Sequence, residues 1–224
     1  MAGKSIKENG TIVYTGVWWK LALPQMILIV HLGVVAGTCA WAISRPGSSW
    51  SVISVGVLVG VLLWTLYEYV FHRWLLHHKR HRLLRKIFWN GMHREHHMYL
   101  QMKDPDHHGI HIAITLPVAL LLVGAVGLTT KSGWGLAVLA GYLFGYCAYE
   151  AFHWLFHTGD LESGLGKFPP VHRLWAAHTA HHLHRADKNY GFITLFWDKR
   201  FHTYLPFDKT RARRTRGVRE GRPA

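Results

Sequence analysis

Ten histidines fall in four groups whose spacing suits metal chemistry. His72 and His77 stand in HRWLLH, His93, His96 and His97 in HREHH, His153 and His157 in HWLFH, and His178, His181 and His182 in HTAHH. An imidazole offers a neutral nitrogen to zinc or iron, so such clusters point first to a metal site. At about 100° per residue, His153 and His157 lie some 40° apart on a helix and share a face. Each H-x-x-H-H triple fans over roughly 100°, an arc narrow enough for its three rings to converge on one point beside the helix. His72 and His77 break the pattern. Five residues apart, they diverge by about 140° on an ideal α-helix, so either the helix is distorted there or the two rings serve different ions. A closed structural zinc takes only about four ligands, whereas ten imidazoles suit two ions with around five nitrogens each and a position left open. An open two-ion site is a catalytic arrangement.

Two carboxylates accompany the histidines. Glu68 precedes His72 by four residues, and Glu150 precedes His153 by three, so each shares a helix face with a candidate ligand. Both lie in apolar runs, where a carboxylate is costly unless paired, and fixing the second nitrogen of a bound imidazole is one reason to keep it there. A packing hydrogen bond, a salt bridge to a loop arginine and direct ligation are the alternatives. His31 reads as a packing residue of its run. His78, His81, His107, His108, His111, His172, His184 and His202 fall outside the pattern, with His184 and His111 the first candidates to support the ligands. Cys39 and Cys147 sit in apolar runs without paired spacing, which argues against a disulfide framework or a thiolate site.

The elements that must position these groups are apolar runs at Leu21 to Ile43, Trp50 to Phe71, Ile112 to Leu128 and Trp134 to Phe156. A span needs roughly 17–25 residues, so the runs predict an all-α integral membrane protein with about four transmembrane helices, the third at the short limit and interrupted by Pro117. The short turns SRPGSSWS and TTKSGWG join them into two hairpins. Trp18, Trp19, Trp41, Trp50 and Trp134 stand at run ends, where amphipathic rings favour the headgroup layer.

Charge decides orientation. Half the 224 residues are hydrophobic, yet the net charge is +14. The middle segment holds Arg73, Lys79, Arg80, Arg82, Arg85, Lys86, Arg94 and Lys103, against Arg45 and Lys131 in the two hairpin turns. The basic segment, both termini and a histidine-rich helical cap are therefore expected on the cytoplasmic side. No cleavable signal peptide is evident, because the first run is too long and is preceded by Glu8 and Asn9. Residues 1–208 read as one membrane-embedded domain. Residues 209–224, KTRARRTRGVREGRPA, read as a disordered basic tail suited to anionic lipid. Nucleic acid is a poor partner for cations that lie against membrane spans. Metal transport is the reading of another class, but it needs ionisable groups along a path at mid-depth, and the run centres offer little beyond His31.

The histidine order, together with HTAHHLHRADKNYGFITLFWDKRFHTYLP, resembles the fatty acid hydroxylase and sterol desaturase superfamily over about Glu68 to Pro206. The ten-histidine pattern looks most like fatty acid 2-hydroxylases, although TGDLESGLGKFPPVHRLWAA between His157 and His178 looks longer than in that group. The resemblance implies that His72, His77, His93, His96, His97, His153, His157, His178, His181 and His182 are the metal ligands, with no separate catalytic residue. It places Asn189 and Tyr190 of the DKNYG signature among the residues that shape the site. It implies a dimetal oxygenase that hydroxylates an acyl chain of a fatty acid or lipid with dioxygen and two electrons. Redox chemistry argues for iron, while zinc fits the same ligands in purified protein. No haem or flavin motif appears, so a separate ferredoxin, or a cytochrome with its reductase, is the expected electron donor. Desaturation, or oxidation of a sterol, carotenoid or ether lipid, starts from the same hydrogen abstraction and is not separated by histidine spacing.

Overall fold

Apolar chain that meets no water must satisfy its backbone internally, and helices do this within each segment. The computed structural model describes residues 5–8, 11–14, 24–98, 112–158 and 164–207. From Pro24 onward these residues are helical or form connecting turns. The apolar helices are α1 (Pro24–Ile43), α2 (Trp50–Val70), α5 (Ile112–Thr129) and α6 (Gly133–Thr158). The shorter ones are α3 (Arg82–Leu84), α4 (Arg94–Met98), α7 (Pro169–Leu183) and α8 (Phe196–Arg200). An antiparallel hairpin of β1 (Ser5–Glu8) and β2 (Thr11–Tyr14), with Ser5 opposite Tyr14, precedes them and lies outside the all-helical expectation. The tail at 209–224 lies outside the described residues, as do Lys103, His107, His108 and His111.

Two helices are long and apolar enough to cross a membrane, Trp50–Leu76 and Gly133–His157. The apolar stretches Ile27–Ile43 and Thr115–Thr129 are shorter. Val55, Leu58, Leu62, Leu121 and Leu128 are each more than half exposed. An apolar face turned outward over several turns belongs against lipid rather than water. The inward faces of α2 and α6 touch through glycine. A Cβ on Gly60 would meet the Val138 carbonyl, and one on Gly141 would meet that of Val57, so only hydrogen lets the backbones approach this closely. Helix α6 is the hub, and α1 lies mainly against it rather than against its hairpin neighbour α2. Cys39 and Cys147 are free thiols.

Beyond α2 the helix continues as a π-helical segment, Phe71–Leu76. A second, Arg85–His93, leads into α4. In the first, the His77 amide donates to the His72 carbonyl at 3.2 Å, an i to i+5 bond. The five-residue spacing of these histidines is thus explained by helix distortion, which turns both rings to one side. Pro169 and Pro170 open α7, where a missing amide hydrogen costs no helical bond.

Candidate metal centre

Nine of the ten histidines gather into two groups, in each of which the ligand-capable atoms lie within 4.8 Å of one another. The first holds His72, His77, His93, His97 and His181. The second holds His96, His157, His178 and His182, and the Nε2 of His153 lies 3.0 Å from that of His96. Neither H-x-x-H-H triple converges on one point. In HREHH, His93 and His97 enter the first group and His96 the second, while in HTAHH, His178 and His182 enter the second and His181 the first. The i, i+4 pair of each triple points one way and the i+3 ring the other. The groups also touch, with the rings of His97 and His182 stacked 4.4 Å apart.

The nitrogens are spaced for a cation. In the first group the Nε2 atoms of His77, His93, His97 and His181 form a closed circuit with edges of 3.0, 3.0, 3.1 and 3.1 Å. His72 Nε2 lies 3.1 and 3.2 Å from those of His93 and His77. Metal–nitrogen bonds of about 2.1 Å at right angles separate neighbouring nitrogens by about 3.0 Å, against about 3.4 Å in a tetrahedron. The observed edges match the first. Tautomers strengthen the point. His72 Nδ1 donates to the Tyr190 carbonyl at 2.7 Å, and His181 Nδ1 to the Lys188 carbonyl at 2.5 Å. A carbonyl only accepts, so in both rings the proton sits on Nδ1 and Nε2 presents a bare lone pair to its neighbours. In the second group, His178 and His157 Nε2 are 2.9 Å apart, and neither nitrogen of buried His182 has a hydrogen-bond partner. Converging lone pairs repel unless a cation lies between them, and the residues present fit one.

Burial tunes the site toward ligation. It lowers His77, His93, His97, His178 and His182 below the ordinary imidazole value, and neighbouring histidine charges lower them further. His181 is lowered by burial to about 4, with the Lys188 carbonyl opposing. These rings are neutral near pH 7, the form that binds metal.

The signature loop after α7 holds the clustered histidines from behind. Asp198, fully buried at the start of α8, accepts from the amides of Tyr190 and Gly191 at 2.8 Å each and from the Thr203 hydroxyl at 2.7 Å. Tyr69 hydrogen-bonds Thr203 at 2.9 Å, and Arg73 donates to Tyr69 at 2.8 Å. Asn189 sits at φ 56°, a left-handed conformation that asparagine tolerates. Its side chain donates to the Ala177 and Leu205 carbonyls and accepts from the Leu205 amide. Tyr190 contributes its carbonyl, and its ring edges those of His72 and His181.

Glu68 does not fix the second nitrogen of His72, a role that falls to the Tyr190 carbonyl. Its carboxylate accepts from the amides of Phe192 at 2.5 Å and Ile193 at 3.3 Å, and from the Trp64 indole at 3.2 Å. It therefore ties α2 to the same loop. Glu150 lies on α6, half-buried, three residues before His153. Two further rings frame the groups. Phe192 packs against His72, His153 and His178 at 4.7–5.0 Å, touching both groups. Trp89 lies 5.4–6.1 Å from His77, His93 and His97, with the Lys79 ammonium over its outer face. Sequence reasoning missed Asp198, Phe192 and Trp89, although the first two stand inside the quoted signature. His31 donates to the Ile27 carbonyl and packs edge-on against Tyr146, as a packing residue does.

Comparison with known proteins bears on this arrangement. The fatty acid hydroxylase family model matches residues 57–203. A dihydroceramide fatty acyl 2-hydroxylase of Arabidopsis thaliana is 32% identical over 210 residues, covering 89% of this chain and 78% of its own length. The fatty acid 2-hydroxylase of Homo sapiens is 31% identical over 157 residues, 66% of this chain and 39% of that protein. A ceramide very long chain fatty acid hydroxylase of Saccharomyces cerevisiae is 29% identical over 194 residues, 84% and 46% respectively. The chain thus spans less than half the length of the human and yeast relatives. The solved structure of full-length scs7p, in which only the hydroxylase domain is visible, shares the fold with a TM-score of 0.68 at 24% identity, over 90% of this chain and 76% of that one. The match of residues 57–203 to the family model runs from α2 through the loop clamped by Asp198, the part of the molecule that carries all ten clustered histidines, and on that match the chain belongs to the fatty acid hydroxylase family.

Proposed function

We propose that this chain is a membrane oxygenase that hydroxylates the acyl chain of a fatty acid or ceramide-like lipid at a pair of iron ions. The observation that carries the reading is the two adjoining histidine groups at one end of α2 and α6, the two helices long and apolar enough to cross a membrane. We assign all ten clustered histidines as ligands, five to each ion, with His153 completing the second set. Glu68, Glu150, Asn189 and Tyr190 are read as the residues that support them. Reduced iron held there would supply dioxygen activation, placing one oxygen atom in a C–H bond and releasing the other as water with two electrons and two protons. The His72 and His181 rings hold no mobile proton at Nε2, because the Tyr190 and Lys188 carbonyls keep it on Nδ1. Phe192 and Trp89 wall the groups and limit water. We read α1 and α5 as completing four spans, with the site and the basic segment on the cytoplasmic side. Residues 1–208 then form one domain with a basic tail, and a separate ferredoxin or cytochrome with its reductase is the donor.

Elemental analysis of the purified protein should give close to two metal ions per chain, and a value of one or less at full histidine occupancy would reject the paired site. Lipid mass spectrometry of cells with and without the gene should show a gain of one oxygen. A loss of two hydrogens instead would assign desaturation.

A further inference from the structure

The segment between α2 and α4 carries more than a ligand. Arg82, Arg85 and Lys86 are exposed and, among the described residues, make no ion pair. Interleaved with them, Leu83 is 57% and Ile87 46% exposed among the described residues, an i, i+4 apolar pair turned outward. The neighbouring ring of Phe88 meets Phe71 edge-on at 5.7 Å, and Phe71 stacks on Tyr67. Tyr67 is 43% exposed at the edge of α2, beside its contact with Tyr142 of α6. One apolar surface therefore runs from the membrane-crossing helix onto this segment, flanked by cations. We propose that Arg82–His93 lies in the membrane–water interface and binds anionic phospholipid headgroups through Arg82, Arg85 and Lys86. Leu83 and Ile87 enter the acyl boundary, as in other amphipathic interfacial helices. Continuity with the lipid-facing surface favours a bilayer over an acidic protein, which would meet a cationic surface without the apolar pair. The same segment carries Trp89 and His93, so the charge of the lipid surface bears on the placement of the first histidine group.

Hydrogen–deuterium exchange tests this on the full chain in nanodiscs of phosphatidylcholine with and without phosphatidylglycerol, and needs no enzymatic activity. Phosphatidylglycerol should slow exchange across residues 82–93 by roughly tenfold or more, since each Lys or Arg near an anionic surface contributes about fivefold. Added salt should remove the difference in the unmutated protein. The triple variant R82Q/R85Q/K86Q should show no difference between the two bilayers, and L83N/I87N should exchange faster in both. Equal exchange of the unmutated protein in the two bilayers at low salt overturns the proposal. So does protection that comes only from an acidic protein added in solution, which would assign the face to a protein partner.

Discussion

His181 faces both ways, its Nε2 3.1 Å from those of His77 and His97 and its Nδ1 bound to the Lys188 carbonyl. His181→Ala should leave an inserted, folded chain, because the apolar helices pack independently of any one ring, but should lose metal and hydroxylated product at matched protein level. Elemental analysis beside lipid mass spectrometry checks both. Asp198→Asn is subtler. An amide has one accepting oxygen where the carboxylate has two, so either the Tyr190 or the Gly191 amide would face an NH2 group. That should cost about 1–3 kcal/mol and weaken metal binding roughly 10–100-fold through the Tyr190 carbonyl, measurable by competition with a chelator. The sequence made the ten histidines visible because ligand spacing is local. It hid the division of the triples, since which way an i+3 ring turns depends on helices far away in the chain. It hid Asp198 because a lone aspartate beside a tryptophan carries no periodic signal.

At the scale of elements, the π-helical turn at Phe71–Leu76 makes an unusual deletion tolerable. Such a turn is an α-helical turn with one extra residue, and Trp74 in it is half exposed. Removing Trp74 should let the segment close as an α-helix in which His72 and the residue now numbered 77 stand i, i+4 and stay on one side, retaining most of the metal. Removing Leu62 from α2 should instead rotate everything beyond it by about 100° and abolish metal retention. Metal content of the two purified variants separates the cases. The awkward five-residue spacing left two readings in the sequence, a distorted helix or rings that serve different ions, and the π-helical turn selects the first. The packing of α1 on α6 was not, because hairpin logic follows chain order, whereas GVLVG and GYLFG, read together, would have pointed to close contact between α2 and α6.

For the molecule as a whole, the buried rings make the metal-free state acid-sensitive. His181 has a folded value of about 4 against an ordinary 6.5, so between these values the unfolded state binds more protons. Its contribution is unaffected above about pH 6.5 and becomes unfavourable as pH falls toward 4, costing about 2 kcal/mol near pH 5. The other lowered histidines act in the same direction. Thermal unfolding of metal-free protein should therefore shift to lower temperature on acidification from neutral pH, and metal should protect against the shift. Charge and apolar patterning made membrane residence legible, while the outward or inward turn of each helix waited on contacts between distant runs. The exchanged rings of the two triples have a last consequence, for assembly. Each of HREHH and HTAHH feeds both groups, so an ion that orders one group also fixes residues of the other, and neither can be built first at leisure. A titration with limiting iron should then fill chains rather than sites. Native mass spectrometry at half supply should find fully loaded and empty molecules in comparable numbers, with singly loaded ones scarce.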